Sequence, residues 1–236
     1  MTSSPFVLLD DSLTSGERSL LFESAEEIVR VDRPEDVEAG LQRISDGLAR
    51  GLHAAGFFAY ELGYCLEPKL AGLLPEKRAV PLFWVGLYGQ ARRMGDEAVR
   101  HWLDARGGAG HAKISNLTLS WSREAYGRAF RAVQDYIAAG DVYQINLTQK
   151  YLFDFEGDPT ALYAGLRRRQ RVAYGALMEM PELSVLSLSP ELFFRREDQQ
   201  LSTRPMKGTA PRAGRRARMR GSRPGSPWTR SSVRRT

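Results

Sequence analysis

The order of periodic segments between residues 121 and 206 constrains the fold more than any other feature of this sequence. The first segment predicts a helix over 122–140, because its large apolar side chains recur at helical spacing: Tyr126, Phe130, Val133 and Ile137. Ser122 suits the N-cap of this helix, and Gly140 suits the residue that ends it. A helix with one apolar stripe must pack that stripe against another element.

Strand patterns dominate the rest of this region. Residues 141–155 alternate apolar and polar side chains, as a half-buried strand does. Asp158-Pro159 begins a second helix that ends near residue 170. Four further strands follow, the last two joined by a tight turn at Asp198-Gln199: 172–180, 183–189, 191–197 and 200–206. This order predicts an α+β fold, in which antiparallel sheets pack against helices.

The N-terminal half is predicted to mix helix and strand. Helical spacing of apolar residues predicts a helix over 33–51, and aromatic-rich runs bounded by Gly and Pro predict strands in 54–64 and 81–90. The predicted division of the chain follows from these patterns: an N-terminal region 1–112, a linker 113–120, a second domain 121–212 and a disordered arginine-rich tail 213–236.

The net charge of +6 resembles that of a nucleic-acid-binding protein, but its distribution along the chain indicates otherwise. Residues 213–236 contain eight arginines and no acidic residue, so residues 1–212 carry a slight negative net charge. The single cysteine, Cys65, excludes an intrachain disulfide and a cysteine metal cluster. The sequence has no secretory signal and no transmembrane stretch. We therefore expect a cytoplasmic protein that binds neither nucleic acid nor membrane.

Lys207 is the candidate catalytic residue. It follows a predicted strand and stands between Pro205 and Gly208. The proline makes the backbone rigid, and the glycine allows a ligand to approach the backbone closely. A partly desolvated lysine loses proton affinity and becomes an amine nucleophile. The Gly208 N–H and the Thr209 hydroxyl are suitable donors for a carboxylate. Most lysines are solvated surface cations, so these residues alone leave both a surface role and a catalytic role open.

Three segments in this order closely resemble the chorismate-utilising enzymes: AGDVYQINLTQKY (139–151), LSLSPELFFRR (186–196) and TRPMKGTAPR (203–212). This family includes the anthranilate, aminodeoxychorismate, isochorismate and salicylate synthases. LLFESAEEI (20–28) and GFFAYELGY (56–64) resemble the N-terminal region of the same family. Within it, lysine before Gly-Thr is typical of aminodeoxychorismate synthase component I, and alanine of anthranilate synthase component I. Lys207 therefore favours the former.

The resemblance implies a reaction and a set of site residues. Lys207 would attack C2 of chorismate as the C4 hydroxyl leaves, and ammonia from a separate glutamine amidotransferase subunit would then add at C4. The product would be 4-amino-4-deoxychorismate, a precursor of p-aminobenzoate in folate biosynthesis. Gly208 and Thr209 match the pair that contacts chorismate.

The resemblance also implies a tryptophan pocket, with Ser24 and Tyr174 at the matching positions. In relatives, the tyrosine stands between a proline and a methionine. Ala173 and Gly175 replace these two residues here, which puts the ligand of the pocket in question. An ordinary core role for Tyr174 remains open.

The resemblance ends at Arg212, before the part of the family that carries the Mg²⁺-binding glutamates. The implied Mg²⁺ therefore has no ligands in this sequence, and the fold is expected to be incomplete. The composition of 213–236 suggests a shifted reading frame in a GC-rich gene. We therefore expect an aggregation-prone fragment without synthase activity. Two alternative functions remain open. One is an anthranilate-synthase-like enzyme, and the other is a binding protein whose basic tail binds nucleic acid or an acidic partner.

Overall fold

A computed structural model describes residues 4–205, apart from the side chain at position 108, and divides them into two compact units. Residues 4–99 and 169–205 belong to the first unit, and residues 100–168 form the second. All pairs of strands in the described residues are antiparallel, which confirms the predicted α+β class with antiparallel sheets. The candidate residues Lys207, Gly208 and Thr209 and the tail 213–236 lie outside the described residues.

The elements are numbered in chain order. The strands are β1 (Phe6–Asp10), β2 (Ser19–Glu23), β3 (Glu27–Val31), β4 (His53–Phe58), β5 (Phe83–Tyr88), β6 (Arg92–Met94), β7 (Ala112–Leu119), β8 (Tyr151–Gly157), β9 (Tyr174–Met180), β10 (Leu183–Ser189), β11 (Leu192–Glu197) and β12 (Gln200–Arg204). The α-helices are α1 (Val37–Ala49), α2 (Leu62–Leu66), α3 (Asp96–Leu103), α4 (Arg123–Ala139) and α5 (Pro159–Arg169). Short 3-10 helices cover Pro34–Asp36 and Pro68–Leu73, and a π-helical turn covers Asp104–Gly108.

The first unit is built in layers around β5. One sheet has the strand order β10-β9-β1-β2-β6, and a second has the order β3-β5-β4. Every residue of β5 is buried, because both of its faces are covered. Phe83, Val85 and Leu87 share a cluster with Val37 and Ile44 of α1. On the opposite face, Trp84 and Tyr88 share a cluster with residues of the five-stranded sheet: Val7, Phe22, Ala176 and Met178.

Helix α4 of the second unit begins and ends as its sequence predicts. The Ser122 side-chain oxygen accepts a hydrogen bond from the Ala125 N–H at 3.2 Å. Gly140 ends the helix in a left-handed conformation with φ 83°, which glycine adopts without steric cost. Both ends of this helix are therefore determined by local chemistry.

Replacing Ser122 with alanine is expected to destabilise α4 by about 1 kcal/mol, because the Ala125 N–H loses its side-chain acceptor. Hydrogen exchange of the first-turn amides of α4 measures this change. Ser202→Ala in β12 is the matched control, since this exposed serine belongs to the first unit and α4 to the second. Equal exchange of α4 in the Ser122→Ala variant and the parent chain would contradict the capping role.

The prediction of a strand over 141–155 is wrong for its first part. Only β8 (Tyr151–Gly157) is extended and paired, and residues 141–150 are irregular. Within that irregular stretch, the Thr148 hydroxyl donates to the Asn146 carbonyl at 3.3 Å, and the Gln144 amide donates to the Asn146 side chain at 3.5 Å. Such local hydrogen bonds compete with a strand ladder.

Two further segments differ from the sequence-based expectation. Strand β4 ends at Phe58, where its partner β5 begins, and the remainder of the predicted strand 54–64 turns into α2. The predicted linker 113–120 lies almost entirely in β7, which pairs with β8. The division of the chain into an N-terminal region and a chorismate-type domain remains a prediction.

Candidate functional site

The described residues nearest to Lys207 in sequence form a meander that leads to it. Strand β9 pairs with β10 from Tyr174↔Ser189 to Met180↔Leu183, and β10 is the edge strand of the five-stranded sheet. Strands β11 and β12 then form a separate two-stranded hairpin that ends at Arg204. The sequence predicted this strand order and the turn at Asp198-Gln199.

Local hydrogen bonds shape both corners of this meander. At the first corner, the Ser189 hydroxyl donates to the Glu191 carbonyl at 3.1 Å and accepts from the Glu191 N–H at 3.3 Å, across Pro190. At the second corner, Asp198 has a positive φ of 51°, and the Arg196 guanidinium donates to its carbonyl at 3.0 Å. The segment before Lys207 is therefore held by backbone geometry and short-range polar contacts.

The first family-like segment, 139–151, belongs to the second unit and is largely exposed. Tyr143 is 88% exposed, whereas the side-chain oxygen of Gln149 is buried without a hydrogen-bond partner in the described part of the chain. The Lys150 N–H donates to the hydroxyl of Ser120, the residue after β7, at 3.0 Å, which ties the end of the segment to the end of β7. This segment and the meander lie in different compact units.

Ser24 and Tyr174, the two residues matched to a tryptophan pocket, lie at opposite ends of the five-stranded sheet. Ser24 follows Glu23, which is opposite Phe6 at the start of β1. Tyr174 precedes Gly175, which is opposite Asp10 at the end of β1. Measured along the direction of β1, Ser24 and Tyr174 are therefore six residue positions apart, which corresponds to about 20 Å. Ser24 is exposed with a φ of 57°, and Tyr174 is half-buried. The structure does not bring these residues together, and tryptophan binding remains a prediction.

A buried polar network lies at the Tyr174 end of this sheet, and the sequence analysis did not single it out. The Ser12 hydroxyl donates to the Val172 carbonyl at 3.1 Å and accepts from the Val172 N–H at 3.0 Å. The buried Ser19 hydroxyl donates to the Asp10 carboxylate at 3.2 Å. The turn-forming DDSLTSG segment (10–16) was the available signal. These bonds tie the segment after β1 to the segment before β9, and β1 to β2.

Tyr88 places a polar group in the core between the two sheets of the first unit. The Tyr88 ring lies directly over Gly86: a Cβ added at Gly86 would stand 2.4 Å from the tyrosine oxygen. The centroid of the Tyr88 ring is 5.4 Å from the centroid of the Phe22 ring. The side chain is fully buried, and its hydroxyl has no hydrogen-bond partner among the described residues. Burial raises the pKa of Tyr88 to about 12, because the phenolate would lose its hydration.

Replacing Tyr88 with phenylalanine is expected to increase the free energy of unfolding by about 1 kcal/mol, because the variant no longer buries an unpaired hydroxyl. The parent chain should also lose stability above pH 10. The unfolded tyrosine has an ordinary pKa of 10.0 and ionises first, whereas the folded pKa is about 12. Urea unfolding at pH 8 and pH 11 measures both effects, with Tyr143→Phe as the exposed control. A less stable Tyr88→Phe variant would contradict this account.

The described residues contain no group of three or more His, Cys, Asp or Glu side chains that could hold a metal ion. They therefore do not supply a site that fits the Mg²⁺ implied by the resemblance, and the requirement for Mg²⁺ remains a prediction. A groove of about 630 Å³ lies between α1 and α2, and none of its lining residues belongs to the predicted site. Among the helices that the structure describes, none has the length and apolar character needed to cross a membrane.

Comparison with known proteins assigns the family. Residues 10–220 match the family of chorismate binding enzymes, which is most of the chain. The chain belongs to this family. Aminodeoxychorismate synthase component 1 of Escherichia coli is 30% identical over 226 residues, and its match covers 84% of this chain. The corresponding Klebsiella aerogenes protein is 35% identical over 175 residues, or 67% of this chain. The resemblance inferred from the three segments is confirmed.

Other members of the chorismate binding family match shorter parts of the chain. Anthranilate synthase component 1 of Thermus thermophilus is 38% identical, but its match covers 39% of this chain. The chain spans about half the length of the curated relatives that it matches most extensively, with 49% of the Escherichia coli protein and 39% of the Klebsiella aerogenes protein covered. The matched part is the N-terminal part of these relatives.

Proposed function

We propose that this chain contributes to the amination of chorismate to 4-amino-4-deoxychorismate, as the component 1 type of chain in an aminodeoxychorismate synthase. This product leads to p-aminobenzoate and folate. The observation that carries the proposal is the extent of the matches. Relatives named aminodeoxychorismate synthase component 1 align over two thirds or more of the chain. Anthranilate synthase relatives such as that of Thermus thermophilus align over a much smaller share.

Lys207 supports the same choice at the level of one residue. In the proposed reaction, its neutral amine forms a bond to C2 of chorismate, both conjugated ring double bonds shift by one position towards C4, and the C4 oxygen leaves as water once protonated, while the bound nitrogen gives up one proton. Ammonia then attacks C4 and gives up one proton, both double bonds shift back, and the C2–N bond breaks as the Lys207 nitrogen regains its proton. Gly208 and Thr209 would hold a chorismate carboxylate through their N–H and hydroxyl groups. An alanine at position 207 could not form this adduct.

The proposed reaction needs a source of ammonia and a second part of the fold. The name component 1 of these relatives describes one part of a larger synthase, and we propose a separate glutamine amidotransferase as the ammonia source. We also expect product formation to need the part of the component 1 relatives that this chain does not match, because the resemblance implies that this part carries the acidic groups for Mg²⁺ binding and for protonation of the leaving hydroxyl. Each step of the proposed reaction that involves this chain is carried by Lys207, Gly208 or Thr209.

The test combines this chain with the part of the Escherichia coli relative that lies beyond the matched segment, called here the E. coli half. The mixture receives chorismate, ammonium and Mg²⁺, and products are separated by chromatography with mass detection. Formation of 4-amino-4-deoxychorismate by the mixture, and by neither polypeptide alone, is the expected result. If the two polypeptides bind each other and chorismate is still not aminated, the proposed function is wrong.

Anthranilate formation is the second candidate, because five relatives named anthranilate synthase component 1 match this chain at 31–38% identity. Its product is an aromatic amine that fluoresces, and its formation releases pyruvate. The same reaction mixture therefore distinguishes the two candidates. Fluorescent anthranilate with an equal amount of pyruvate would favour this second function over the first.

A further inference from the structure

We draw no further inference here: the strongest candidate, the open groove between α1 and α2 where Cys65 and Leu66 face Glu38 and Leu41, carries nothing because the described part of the chain does not show which ligand or partner would cover it.

Discussion

Replacing Phe83 with alanine is expected to lower the free energy of unfolding by about 3–5 kcal/mol. Phe83 is fully buried in β5, and its ring centroid is 5.5 Å from that of Phe58. An added Cβ at Gly40 of α1 would stand 2.7 Å from the tip of the Phe83 ring, so the helix lies directly against this ring. Truncation therefore leaves a cavity between α1 and β5 that the surrounding backbone cannot fill.

Chemical denaturation followed by tryptophan fluorescence measures this effect, because Trp84 is the next residue in β5 and contributes to the signal. Phe193→Ala is the matched control, because Phe193 in β11 is 84% exposed. Its replacement should change the free energy of unfolding by less than about 0.5 kcal/mol. Since domains are stable by only about 5–15 kcal/mol, Phe83→Ala should leave the first unit close to unfolding. Equal denaturation midpoints for the two variants would contradict the layered packing around β5.

Replacing Lys207 with alanine is expected to reduce formation of 4-amino-4-deoxychorismate by roughly 10³-fold or more, as loss of a covalent nucleophile does in other enzymes. The assay is the mixture of this chain with the E. coli half, supplied with chorismate, ammonium and Mg²⁺. The proposed adduct requires an amine at position 207, and no other lysine lies within fifty residues on its N-terminal side. The binding constant between the two polypeptides should be unchanged.

Lys69→Ala is the control for the Lys207 variant. Lys69 is exposed in the 3-10 helix Pro68–Leu73, far in sequence from the three family-like segments. Its removal changes the charge by the same amount and should leave the rate unchanged. A Lys207→Ala variant that retains the rate of the parent mixture would refute the nucleophilic role, whereas a matching loss in Lys69→Ala would attribute the effect to charge.

Local signals predicted a large part of the fold correctly. The ends of α4 at Ser122 and Gly140 follow from side-chain capping and from the freedom of glycine to adopt a positive φ. The start of α5 at Pro159 and the four strands from β9 to β12 follow the predicted order. These features depend on interactions between residues near each other in sequence, which a single sequence displays directly.

The candidate site was predicted less completely. The three ordered segments identified the family, which the comparisons confirm. The register of β1 with β2 and β9, however, separates Ser24 from Tyr174, and a motif in the linear sequence does not display that register. The buried bonds between Ser12 and Val172 join residues 160 positions apart, so they appear only when β9 pairs with β1. Lys207 itself remains a prediction from the sequence.

Helix α1 shows which of its features follow from the sequence and which depend on the tertiary structure. Helical spacing of apolar residues correctly predicted that 33–51 forms a helix. The apolar residues at that spacing are Val37, Leu41, Ile44 and Leu48. Leu48 is half-exposed, whereas Gly40 and Gly47 are buried. An added Cβ at Gly47 would stand 2.5 Å from Leu87, so the absence of a side chain lets α1 approach β5. The sequence by itself therefore determined α1, α4, α5, the four strands from β9 to β12 and the family. Only the tertiary structure decided which faces are buried, because burial depends on the partner that packs there.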